Sequence, residues 1–291
     1  MALPGAAGCA CLHHGRFLTR RHERRAATEA RGERMLAATY RVTIERHEVG
    51  EIPALVYRSV EEERSDPPFV FVIHGLASRK ERHLDLCLRL TDAGFRACAF
   101  DVAGHGERRA DDTDLLFGPR SAPGFAGAFL RTVVASVAEL RQLADYFELT
   151  RGAVVGHSMG GYIALQAALN DPRIEAVVNI AGSIDTARFP VAEEASAEVR
   201  ELSARADVVA RAAEFAPRPV LLIHGEQDET VPFTGAERLY AALRDAYGDA
   251  SGRVSLKRYP GLTHRDFPPA MARAATDWLA TDWQATKVVV G

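Results

Sequence analysis

Four cysteines in 291 residues leave little scope for covalent cross-linking. Cys9, Cys11, Cys87 and Cys98 are too scattered for a disulfide framework, and Cys98 falls inside an apolar, strand-like run, which suits a reducing, cytoplasmic compartment. No apolar run reaches the ~18 residues that a spanning helix needs, so no membrane partner is expected. Charge of one sign is lacking too. With 36 Lys and Arg against 39 Asp and Glu, the formal net charge is −3, and no basic field exists to gather nucleic acid. Small-molecule chemistry is the expectation that remains.

Residues 1–38 differ from the rest of the chain. Seven arginines and three glutamates lie between Arg16 and Arg34 with no apolar stretch behind them, which excludes an ordinary secretory signal. Glu23, Glu29 and Glu33 also argue against a transit peptide. The segment therefore reads as a disordered, Arg-rich extension, with Met35 a candidate translation start. The crowded spacing of Cys9, Cys11, His13 and His14 matches no zinc finger or ribbon, and no metal is expected there.

Residues 39–291 read as one α/β domain, and a chain 47% hydrophobic and 26% charged can bury its core. Residues 40–44 and 52–57 alternate and suit an antiparallel pair, whereas 69–73 is the continuous apolar run of a central parallel strand. A helix carrying Leu84, Cys87, Leu88 and Leu90 and a strand at 95–100 complete a βαβ crossover. Further strands are expected at 153–155, 174–180, 220–223 and 253–259. Val133, Val137, Leu140, Ala144 and Phe147 recur at helical spacing as a core stripe. Residues 107–127 read as a long loop whose Leu115, Leu116, Phe117 and Phe125, with Phe129 beyond, fit two roles equally: lining an acyl pocket or packing on the sheet edge. The 33 residues 186–218 are too many for a bare connection and read as a small helical lid insert.

Chemistry concentrates in five loops that each come after a strand. In Gly156-His157-Ser158-Met159-Gly160-Gly161 a buried strand turns sharply into a helix, so Ser158 sits exposed on a strained turn. The Met159 N–H opens that helix and is free to hold a developing oxyanion. His74-Gly75-Leu76 closes an earlier strand, where Leu76 N–H is the second oxyanion donor and His74 a brace of the loop. Asp101-Val102-Ala103-Gly104-His105-Gly106 is too loosely spaced for a dinucleotide fingerprint, so no cofactor is expected, and Asp101 and His105 read as loop supports. A serine nucleophile needs a base, and the base a buried carboxylate. Asp228 lies in the loop after the strand at 220–223, with Asp185 one strand earlier as the alternative. His264 alone of ten histidines comes after both the last strand and the candidate acid.

These motifs, from about residue 40 to 285, resemble the serine α/β-hydrolases, near the prolyl-oligopeptidase-like and dienelactone-hydrolase-like esterases. The resemblance rests on His74-Gly75-Leu76, Asp101 with Gly104-His105-Gly106, the serine turn, His224-Gly225 with Asp228 and Val231-Pro232, and His264. It implies an eight-stranded, mostly parallel sheet with helices on both faces and a Ser158, Asp228, His264 triad. It also implies hydrolysis of a small ester without metal or organic cofactor. The alternatives are an aminoacyl or peptide hydrolase or an acyltransferase on the same triad, or a non-catalytic binding protein of this fold. Dienelactone hydrolases proper use cysteine, and the peptidases carry a large propeller for which there is no room here. Both departures narrow the expectation to a carboxylesterase acting on short acyl groups.

Overall fold

A computed structural model of the chain describes residues 40–61, 67–109, 117–119, 121–122, 124–183 and 196–283. The N-terminal extension with its Cys and His cluster, Leu115, Leu116, Asp185 and the first part of the 186–218 insert lie outside those residues.

Eight strands form one sheet in the order β1-β2-β4-β3-β5-β6-β7-β8. They are β1 (Val42–Val49), β2 (Ile52–Ser59), β3 (Phe69–Ile73), β4 (Arg96–Phe100), β5 (Gly152–His157), β6 (Ile174–Ile180), β7 (Val220–Gly225) and β8 (Val254–Tyr259). The hairpin β1-β2 is antiparallel and β2 meets β4 antiparallel, while every pairing from β4 through β8 is parallel. The apolar run at 69–73 is continuous because both of its faces are covered. Phe69, Phe71 and Ile73 join one core, and Val70 and Val72 the other.

Helices α1 (Leu84–Asp92) and α6 (Pro269–Trp278) cover one face. The opposite face is covered by α2 (Phe125–Tyr146), α3 (Met159–Asn170) and α5 (Phe233–Tyr247). From β3 the chain runs outward to β4, then crosses back to β5 on the other side of β3. Strand order therefore reverses between β3 and β5, the place where loops diverge and leave a crevice at the carboxyl edge of a parallel sheet.

The loop expected at 107–127 ends earlier than its composition suggests. Helix α2 begins at Phe125, capped only by Gly124 at φ 88° with no side-chain hydrogen bond. Phe125 and Phe129 are core residues, the latter stacked on Tyr162, and Phe117 is half-buried beside His105. In the insert, α4 (Ala197–Arg205) starts from a Ser196 cap, and beyond it Val208 and Phe215 anchor the chain in the core.

Candidate active site

Ser158 stands at the reversal point, between the end of β5 and the first residue of α3, with φ 56° and ψ −122°. An L-residue adopts that conformation at a cost of about 1–3 kcal/mol, so its surroundings must enforce it. They do: Ser158 N–H donates to Ile180 O at 2.8 Å, and Ser158 O accepts from Tyr162 N–H at 3.2 Å. The strand and helix also approach so closely that a side chain at Gly156 would strike the Gly160 backbone, and one at Gly160 the Ile73 and His74 carbonyls.

The loop after β3 lies directly against the serine. A methyl group added at Gly75 would sit 3.1 Å from Ser158 Cβ and 3.6 Å from its Oγ. Among the described residues neither Leu76 N–H nor Met159 N–H is engaged in a hydrogen bond, which leaves two donors beside the hydroxyl. His74 fixes this loop. Its Nδ1–H donates to Gly75 O at 2.8 Å and its Nε2 accepts from Val102 N–H at 3.2 Å, a tautomer that ties the β3 loop to the β4 loop. Burial pushes His74 down to about 4, which keeps it neutral.

Asp228 and His264 come from neighbouring strands, and the backbone joins their loops. Glu226 N–H donates to Tyr259 O at 3.1 Å and Gln227 N–H to Leu262 O at 3.0 Å. The Asp266 carboxylate gathers Thr263 N–H at 2.7 Å and its hydroxyl at 2.8 Å, closing the turn that carries His264. The resulting chain is continuous: Ser158 Oγ is 2.8 Å from His264 Nε2, and His264 Nδ1 is 2.7 Å from Asp228 Oδ2. A carboxylate only accepts, so Nδ1 carries the proton and Nε2 is free to take the serine's. Burial alone would raise the Asp228 carboxyl, but hydrogen bonds from His224, His264 and Val231 N–H outweigh it and hold the group well below the usual carboxylate range.

Two contributions escape sequence reasoning. His224 Nε2 lies 3.2 Å from Asp228 Oδ2 and 2.9 Å from Val231 O, so its N–H orients the acid from behind. His157, between glycine and serine in the motif, stacks on His264 at 5.9 Å between centroids and is itself packed by Phe267 and His83. Burial, then the neighbouring His264 and Arg82, push His157 down to about 4. A histidine ending a parallel strand is the only signal of the first; the second has none, since its partners are distant in sequence. Among the described residues no group of three or more His, Cys, Asp or Glu is disposed to hold a metal ion. Nor is any of their helices long and apolar enough to cross a membrane.

Known proteins of similar sequence and structure point the same way. The family model described as serine aminopeptidase, S33, matches residues 67–205. Esterase YjfP of Escherichia coli is 29% identical over 256 residues, covering 81% of this chain and 97% of its own. YitV of Bacillus subtilis is 26% identical over 261 residues, 82% of this chain and 99% of its own. The crystal structure of TT1662 from Thermus thermophilus superposes with a TM-score of 0.68 at 26% identity, covering 83% of this chain and 98% of that one. In its sheet order, in the family match over 67–205 and in its esterase relatives, the chain is similar to the esterase-type hydrolases of the serine α/β-hydrolase superfamily.

Proposed function

We propose that the chain hydrolyses carboxylic esters of short acyl groups through a covalent acyl-serine. The observation that carries this reading is the unbroken hydrogen-bond chain from Ser158 through His264 to Asp228. His264 Nε2 takes the hydroxyl proton as Ser158 Oγ bonds to the ester carbonyl carbon, and Asp228 stabilises the imidazolium. Leu76 and Met159 N–H groups hold the oxyanion. As the carbonyl re-forms, the bond to the alkoxy oxygen breaks and that oxygen takes the proton from His264. Water then attacks the acyl carbon, passing a proton to the same nitrogen, and the acid leaves as Ser158 Oγ is reprotonated.

The family description raises a second reading, cleavage of aminoacyl amides. A free amino terminus needs an uncommitted carboxylate. Near the β3 loop, Asp101, Glu81 and Glu107 are all engaged by Lys80, and Glu107 also by Arg46. Esters are therefore the favoured substrates, and the two buried free thiols, Cys87 and Cys98, suit a cytoplasmic enzyme.

The test is a rate panel of aryl esters of rising chain length with aminoacyl anilides, run on the parent and on Ser158→Ala. Esters of about two to six acyl carbons are expected to be fastest, and the alanine variant to lose 10³-fold or more together with fluorophosphonate labelling. Retention of more than about 1% activity, or anilide rates equal to ester rates, overturns the reading.

A further inference from the structure

A concavity of about 860 Å³ opens beside the loop that follows β3. Its walls are residues 77–82 after β3, Gly106, Glu107 and Arg109 after β4, and Phe117. Four cations and three carboxylates line it, yet they are not evenly matched.

The carboxylates are all engaged. Buried Asp101 accepts Lys80 Nζ at 2.9 Å, Lys80 N–H at 2.8 Å and Glu107 N–H at 3.1 Å. Glu107 also binds Lys80 and, at 2.7 Å, Arg46. Glu81 lies 3.1 Å from Lys80 and 3.6 Å from Arg79. What remains is Arg82 and Arg109, neither with a carboxylate partner among the described residues. Arg109 is held in place: its guanidinium carbon lies 4.1 Å above the centre of the Phe117 ring. This contact with the ring holds the guanidinium at the wall, where its N–H groups can bind an oxyanion.

The concavity also shares a wall with the reacting groups. Ala77 and Ser78 come directly after the Gly75-Leu76 turn that rests on Ser158, and Ala77 is held at φ 56°. Arg82 acts electrostatically on His83 and on His157, the ring stacked on His264. The wall that carries Arg82 and Arg109 therefore continues from the loop that rests on Ser158, and among the described residues neither guanidinium has a carboxylate partner.

We infer that the substrate carries an oxyanion, a carboxylate or phosphate on its acyl or alcohol part, which Arg82 and Arg109 receive while its ester carbonyl meets Ser158. This rests on the ester hydrolysis proposed for the triad and narrows it to anionic esters.

Two matched pairs of esters test it. On the acyl side the 4-nitrophenyl hemiester of succinate is compared with 4-nitrophenyl butyrate, and on the alcohol side 4-acetoxybenzoate with phenyl acetate. In at least one pair the ratio of kcat/KM, anionic over neutral, is expected to fall about tenfold from the parent to the Arg82→Gln, Arg109→Gln double variant. Added salt should lower the parent's ratio in the same pair. Arg244→Gln, on the exposed face of α5, should keep the parent ratio. A ratio unchanged in the double variant for both pairs overturns the inference and leaves ester hydrolysis standing. Absence of turnover and of fluorophosphonate labelling sinks the ester reading instead. In that event calorimetric titration with succinate and with inorganic phosphate decides: binding lost in the double variant supports the site, and no binding to the parent overturns it.

Discussion

Asp101 and Asp228 occupy equivalent places, each in the loop leaving the carboxyl end of a parallel strand, with exposures of 0% and 5%. Each accepts a full set of hydrogen bonds. Their partners differ. Asp101 is met by an ammonium, Lys80, whose charge is permanent. Asp228 is met by two imidazoles, His224 and His264, and by the N–H groups of Thr230 and Val231 at 2.9 and 2.8 Å. A carboxylate locked to a fixed cation braces a loop. One locked to backbone donors and aimed at a neutral base is ready for a charge that comes and goes. The residue type does not separate the two acids; the chemistry of their partners, an ammonium for one and a pair of imidazoles for the other, does.

The comparison is broken most sharply by removing each charge in turn. Asp228→Asn is expected to lower kcat/KM by 10³–10⁴-fold, since His264 loses both its tautomer and its counter-charge. Asp185→Asn, at the alternative acid, should cost far less, and a reversal of the two losses would reassign the acid. Asp101→Asn should reverse the pattern, with rate per folded molecule within about tenfold but stability down by about 3 kcal/mol, because a buried ammonium loses one of its carboxylates. In a chain of this size that is a fall in melting temperature of roughly 6–12 °C. A loss of rate larger than the loss of stability would move Asp101 into the chemistry.

A third and smaller effect is set by pH. His74 and His157 are pushed down to about 4 from 6.5, so between these values the unfolded chain binds protons that the folded one does not. Stability therefore rises with pH across that window and is lost as pH falls from 6.5 towards 4. Burial pushes His83 and His105 down as well, so His157→Phe removes one of several such groups and should flatten the dependence, narrowing the fall in melting temperature by about 3 °C. The Asp228 carboxyl, held below its ordinary 3.8, contributes stability that is complete above that value and is lost only at lower pH. Scanning calorimetry at stepped pH separates the two windows.

Much of the fold and of the triad is legible in the chain itself, for reasons that differ by element. Residues 69–73 declare themselves because a strand covered on both faces needs apolar side chains at every position, and 174–180 keeps that run except at Glu175 and Asn179. The serine turn is legible because strand, glycine pair and helix lie within a few residues. The start of helix α2 is hidden within an expected loop because Gly124 supplies neither a capping side chain nor an acidic first turn. Lys80 gives no sign at all: it stands in a run of charged residues, Arg79 to Arg82, that resembles any solvated loop, and only tertiary contact buries it against Asp101. His224 lies in plain view at a strand end, but whether such a ring reaches the acid depends on how the next turn folds.

One residue carries a conflict that outlasts any single turnover. Ser158 is held in a backbone conformation natural only to glycine, and the neighbouring elements are shaped to keep it there. Selection for durability and selection for chemistry therefore pull in opposite directions at one codon. A glycine at this position would relax the turn, and a lineage freed from the need to hydrolyse anything would gain stability from the very change that ends its activity. A serine at so costly a backbone position is what the proposed chemistry requires and what packing alone does not.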